Sequence, residues 1–167
     1  MADQNETENN EAAEQQQLPP LTIHGQYIKD LSFEVPNAPS IYGKMLQDQP
    51  DVSVNVDVDA AKLTENQFEV TVKIRADCKV KEDVAFICEL AYGGIFEINV
   101  PQEHLEPMLL IECPRLLFPF ARHIIANTTR DGSFPPMMLN PVDFAAMYRD
   151  RLEALAAQKQ AEGETKN

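Results

Sequence analysis

Positive charge is scarce in this chain: 14 Lys and Arg stand against 27 Asp and Glu, a formal net charge of -13 over 167 residues. That balance opposes attraction to phosphate backbones and anionic lipid surfaces, so no nucleic acid partner and no direct membrane insertion are expected. Cysteine is scarce as well, and Cys78, Cys88 and Cys113 are odd in number and widely spaced. They form neither a disulfide framework nor a CxxC metal pair, which suits a reducing cytoplasm. His24, His104 and His123 lack zinc-site spacing and no HExxH occurs, so no metal is expected. Gly93-Gly94 lacks the further glycines and the Lys of a phosphate loop, which leaves no support for a nucleotide or any other cofactor. The opening MADQNETENNEAAEQQQ has neither the basic nor the apolar region of a secretory leader, and no run reaches the ~18 apolar residues of a spanning helix.

An enzyme is not expected either. Cys113 and His123, a conceivable nucleophile and base, are ten residues apart, about 15 Å along an unbroken helix. The carboxylate pairs fall on strand faces open to water, where nothing favours acid/base work. No catalytic residue is assigned.

Residues 1–17 hold Glu, Asn and Gln with almost nothing apolar and read as a disordered acidic tail; residues 158–167 read as a second, C-terminal tail. Residues 18–157 are long enough for one domain. Strand periodicity fills its first half and helical segments its second, which predicts an α+β fold. In the first strand Leu21, Ile23, Tyr27, Leu31 and Phe33 share one parity, with Ile28 as an apolar intruder on the polar side. Val52, Val54, Val56 and Val58 mark a second strand, Phe68 to Val80 a third, and Phe86, Cys88, Leu90 and Tyr92 a fourth that Gly93-Gly94 interrupts as a bulge or bend.

Strands two to four are joined by short turns, while a long Pro-containing stretch separates strand one from strand two. This predicts a four-stranded antiparallel Greek key with strand one beside strand four. Asp30 and Glu34 then approach Ile87 and Glu89 on the polar face. These residues read either as solvated sheet surface or as a partner-binding patch, since Ile28 and Ile87 are costly to leave in water without use.

Residues 104–132 are too apolar for a one-faced helix, and Pro114 and Pro119 should kink or divide it. A second helix, from about Pro141, is amphipathic but modest. One sheet covers only one side of the first helix, so association between copies of the chain is expected. The long connection also carries Ile41 and Tyr42, which either close a private core or form a groove for extended apolar segments with Phe144, Met147, Tyr148 and Leu152.

Four blocks, KDLSFEVPNAP at 29–39, AFICEL with GGIF within 85–96, CPRLLFPFAR at 113–122 and GSFPPMMLNPVDF at 132–144, together resemble the SecB family of protein-export chaperones. The similarity runs in order from about Ile28 to Leu152. It implies a cytoplasmic homotetramer, a dimer of dimers, with the long kinked helix and the C-terminal helix packed on one face of the sheet. It also implies an ATP-independent holding chaperone that keeps unfolded precursor proteins competent for export and delivers them to the motor SecA. The resemblance assigns Asp30, Glu34, Ile87 and Glu89 to SecA binding, and Phe33, Ile41, Tyr42, Phe144, Met147 and Leu152 to the walls of a client-binding groove. The long acidic N-terminal tail departs from the family pattern. The competing expectations are a general or antitoxin-dedicated SecB-like chaperone without an export role, and a protein that encloses a small molecule or lipid beneath its sheet.

Overall fold

In the computed structural model the described residues are 18–164, so the segment 1–17, read as an acidic tail, lies outside them. The elements run β1 (Leu21–Glu34), α1 (Ser40–Met45), β2 (Asp51–Lys62), β3 (Gln67–Val80), β4 (Asp83–Ile98), α2 (Gln102–Pro107), one π turn (Met108–Glu112), α3 (Cys113–Asp131) and α4 (Phe144–Glu164). The sheet order is β1-β4-β3-β2, antiparallel throughout, which is the expected Greek key with strand one beside strand four.

Alternation decides which face is buried. Directly opposed pairs such as Phe68 with Phe96, Val72 with Tyr92, Ile74 with Leu90 and Ala76 with Cys88 put the apolar side chains of β3 and β4 on one face. Val56 and Val58 extend that face onto β2, opposite Ile74 and Val72. Helix α3 lies on it through Cys113, Leu117, Ala121 and Ile125, four residues apart and fully buried, while Leu116 and Phe120 on the neighbouring flank stay exposed.

Gly93-Gly94 does not interrupt β4, which runs through both residues in unbroken register with β3. The glycines permit close approach on the two faces. A Cβ on Gly94 would lie 2.8 Å from the Phe96 ring and 2.9 Å from Leu117 Cδ2, so α3 can sit this low only where the side chain is missing. A Cβ on Gly93 would lie 3.1 Å from the Tyr27 ring on the other face.

The irregularities fall on β1 instead. Its register against β4 shifts between Ile23 and Gly25 and again between Ile28 and Asp30, which leaves His24 and Lys29 as inserted residues. The first insertion inverts the strand's parity and the second restores it. Ile28, expected on the polar side, therefore lies opposite Tyr92 on the helix side, and Tyr27, expected inside, lies opposite Gly93 on the outer side. There Tyr27 donates its hydroxyl proton to Glu69 Oε1 at 2.6 Å, and Lys29 reaches Glu69 Oε2 at 2.7 Å. The hydrogen bond to Glu69 pushes the Tyr27 hydroxyl up to about 12.

The first helical segment is divided, but not at Pro119, through which α3 is continuous. The division is the π turn just before Pro114, where the Cys113 N–H bonds the Met108 carbonyl five residues back. Pro114 has no N–H to offer the Leu110 carbonyl, and the wider turn accommodates that missing donor. Helix α4 starts at Phe144 rather than Pro141, because Asp143 Oδ1 accepts the Ala146 N–H at 2.9 Å as its cap. It runs to Glu164, through positions read as the start of a tail at 158. From α4, Arg151 donates to the Val58 carbonyl at 3.3 Å, and the Val58 N–H is taken by Asp57 Oδ1 at 2.8 Å.

Gly94→Ala is expected to cost about 1–3 kcal/mol by overpacking beneath Leu117. Gly93→Ala should cost less, because the ring it meets lies on the open face. Urea unfolding of both variants checks this, and an unchanged midpoint for Gly94→Ala would refute the close-approach account.

Candidate functional site

The residues singled out above divide between the two sides of the sheet. On the outer face Glu34 lies directly opposite Ile87, Ser32 opposite Glu89, and Asp30 opposite Ala91. Asp30, Glu34, Ile87 and Glu89 thus share one face within two neighbouring strands, as the Greek-key pairing requires. On the far side of β4, Asp77 pairs with Ile87 and Arg75 with Glu89. Ile87 is therefore flanked by Glu34 and Asp77, and Glu89 by Ser32 and Arg75.

The Arg75 guanidinium grips Asp77 with two bonds of 2.8 Å, Nε to Oδ2 and Nη2 to Oδ1, and turns its remaining nitrogen, Nη1, to Glu89. Asp77 and Arg75 were missed as members of this corner. Strand alternation placed them on the correct face, but only the β3–β4 register shows that they adjoin Ile87 and Glu89.

The six residues expected to wall a groove do not line one open surface. Phe33 and Tyr42 belong to an aromatic cluster with Phe86 and Phe134: the Phe33 and Phe86 rings are 5.6 Å apart, Tyr42 and Phe134 5.3 Å, and Phe86 and Phe134 4.9 Å. Tyr42 also donates its hydroxyl to the Gly132 carbonyl at 3.0 Å. Ile41 is 0% exposed and Phe144 1%, with Phe144 edge-on to Phe118 at 5.8 Å. Both are core residues in this chain. The connection coils into α1 and is tied down by Asn37, whose Nδ2 donates to the Val84 carbonyl at 2.9 Å, so Ile41 turns inward while Leu46 stays 90% exposed. Met147 lines a hollow of about 290 Å³ beside Val58, Tyr148 and Arg151, while Leu152 is 42% exposed on α4.

An open apolar cleft does exist elsewhere on the helix side. It measures about 450 Å³ and lies between Val52, Val54 and Val56 of β2 and Met138, Pro141 and Val142 of the α3–α4 connection. A second cleft of about 480 Å³ shares Phe118, Met138 and Pro141 with it. The signal for this cleft was present in the alternating valines of β2 and the apolar PPMMLNP run. What hid it was that those valines read as strand core, whereas Val52 and Val54 are exposed. The cleft's wall hangs on Thr129, fully buried in α3. Its hydroxyl donates to the carbonyls of Ile125 and Ala126 and accepts the Met137 N–H at 3.0 Å.

Cys113 and His123 share α3 but not a site. Cys113 is buried, and burial pushes its thiol up to about 12, while His123 is hydrogen-bonded to Asn127 Nδ2 at 2.7 Å. No helix among the described residues is long and apolar enough to cross a membrane.

Residues 14–155 match the family model described as preprotein translocase subunit SecB. The protein-export protein SecB of Rhodospirillum rubrum is 55% identical over 148 residues, covering 89% of this chain and 92% of that one. Its counterpart in a Bradyrhizobium species is 53% identical over 145 residues, covering 86% and 89%. Among solved structures, a SecB-like chaperone of Mycobacterium tuberculosis in complex with an antitoxin peptide superposes with a TM-score of 0.62 at 12% identity, over 74% of this chain and 91% of that one. At that identity the likeness is one of fold.

Thr129→Val keeps the shape of the side chain but leaves the Met137 N–H without its acceptor, a loss of about 1–3 kcal/mol. A lower unfolding midpoint and faster amide exchange at Met137 are expected. Unaltered exchange there would show that Thr129 does not hold the cleft wall.

Proposed function

The chain belongs to the SecB family of protein-export chaperones, and from that premise we propose that it holds unfolded precursor proteins in the cytoplasm and delivers them to SecA without using ATP itself. The family is not an enzyme family. The observation that carries the reading is the division of labour across one sheet. The apolar cleft of Val52, Val54 and Met138 opens on the helix side at β2, whereas Asp30, Glu34, Ile87 and Glu89 lie on the outer side of the same sheet, on β1 and β4. Apolar side chains of an extended client suit the first surface. A flat acidic corner with one apolar side chain suits a cationic surface of the motor. Because one layer of strands separates them, occupancy of either leaves the other open, as a hand-over requires.

The client groove is thereby redrawn around the β2 valines and the α3–α4 connection. Residues 18–157 form the chaperone domain in this reading.

Assembly into a homotetramer, a dimer of dimers, is supported by apolar surface that one chain leaves bare. Ile28 on β1 is 48% exposed and Phe120 on α3 is 51% exposed, with Ile23, Leu31 and Leu116 exposed as well. Leu31 and Ile28 point to the helix side, where Phe120 stacks on Tyr92 with centroids 6.3 Å apart. Such a band spanning a sheet edge and a helix face suits burial against another copy.

Joint replacement of Asp30, Glu34 and Glu89 by Ala is expected to abolish SecA binding while leaving suppression of precursor aggregation intact. Val54→Asp should do the reverse. Retained SecA affinity in the triple variant would remove the motor assignment. Phe120→Glu is expected to lower the mass in solution below that of a tetramer, measured by light scattering, and an unchanged mass would show that this band is not the contact between copies.

A further inference from the structure

We infer that Arg75 is a resident counter-cation of the acidic corner, which a Lys or Arg of the docking partner must displace to engage both oxygens of Glu89, so that Arg75 sets how cationic a partner must be to bind tightly. This rests on the reading of Asp30, Glu34, Ile87 and Glu89 as the motor's dock.

Three observations lead there. First, the carboxylates of the corner are not equivalent. Glu89 is bound by Arg75, whereas among the described residues neither Asp30 nor Glu34 has an ion-pair partner. Secondly, Arg75 is anchored independently of Glu89. Its two parallel bonds to Asp77 hold the guanidinium plane, and only Nη1 is spent on Glu89. Breaking the Glu89 contact therefore leaves Arg75 still paired and in place, so the exchange strands no charge. Thirdly, there is room for an incoming side chain. A shallow hollow of about 380 Å³ on the outer face is bounded by Asp30, Asn55, Asp57, Lys73, Arg75 and Glu89. The other cation on that rim, Lys73, is committed to Asp59.

A side chain entering this hollow meets Asp30 without competition, and engages both oxygens of Glu89 only by taking the place of Arg75 Nη1 at Oε1. A partner with a single positive charge satisfies Asp30 and leaves the Arg75–Glu89 pair alone. A partner with several closely spaced positive charges gains Glu89 as well. All these groups are exposed, so each contact is weak and the discrimination comes from their number. The occupant is thus a protein segment with clustered Lys or Arg.

The test is titration of SecA with the full-length chain at several ionic strengths, using Arg75→Gln, Arg75→Lys, Glu89→Gln and the Arg75→Gln/Glu89→Gln double variant. Removal of an exposed competing cation is expected to tighten binding roughly two- to five-fold at low salt and to steepen the salt dependence. Arg75→Lys, which keeps the charge, should bind close to the natural protein. In the Glu89→Gln background the gain from Arg75→Gln should shrink, because only Asp77, and no longer Glu89, is released. If Arg75→Gln binds as the natural protein does, or more weakly, while Glu89→Gln weakens binding, the dock stands and the displacement idea is wrong. A gain of undiminished size in the Glu89→Gln background would also overturn it, since the effect would then owe nothing to Glu89. If Glu89→Gln leaves SecA affinity untouched, the dock itself is misplaced, and the role of Arg75 falls with it.

Discussion

Leu117 reaches the sheet at Gly94, where the helix-side face of β4 has no Cβ, and the depth of that contact sets the positions of the remaining layers. With α3 seated so low, Cys113, Ala121 and Ile125 close against β3 and β4, and the neighbouring flank of the helix, with Leu116 and Phe120, cannot be turned inward. The apolar band left bare beside β1 follows from the packing that makes the core. A helix apolar on two flanks, fixed on one of them, needs cover on the other.

The sheet beneath α3 keeps its two sides chemically distinct, although β1 follows no simple alternation. Two inserted residues, His24 and Lys29, carry the strand through an inversion and back. Between them Tyr27 is delivered to the outer face, where it helps hold Glu69, and Ile28 to the inner one. After the second insertion Asp30, Ser32 and Glu34 fall in step with Ala91, Glu89 and Ile87. The acidic corner therefore depends on an even number of insertions. A chain with one of them would turn Asp30 and Glu34 toward the helices.

Much of this was legible in the sequence for a simple reason. Alternation over β2, β3 and β4 is long and unbroken, and the two short connections fix those strands as neighbours, which leaves strand one the place beside strand four. The acidic corner follows from that pairing and from parity close to Glu34. The two insertions were not legible, because neither His24 nor Lys29 is the glycine that usually marks a bulge, and a slip of one residue changes no composition. Nor were the groove walls. Ile41 and Phe144 have the side chains a groove would use, but whether such residues face a cleft or a core depends on how α1 and α4 are pinned. The pins are side-chain hydrogen bonds to distant backbone, from Asn37 and Tyr42 for α1 and from Arg151 for α4, which periodicity does not register. Arg75 was visible only as a reminder that the outer face is not uniformly acidic; its neighbours came from register.

Val58 sits on β2, at a rim of the sheet where backbone groups are unmatched by any further strand. Its N–H is occupied by the carboxylate of Asp57 and its carbonyl by the guanidinium of Arg151, so that rung of the ladder is already filled by side chains. Extended polypeptides are prone to join such a rim as one more strand, and a sheet lengthened in that way seeds fibrils. A protein whose apolar cleft begins on the same strand, at Val52 and Val54, keeps extended chains within reach of that hazard. In the proposed role as a holder of unfolded chains, the plugged rung opposes pairing at Val58 and leaves the valine side chains as the surface on offer.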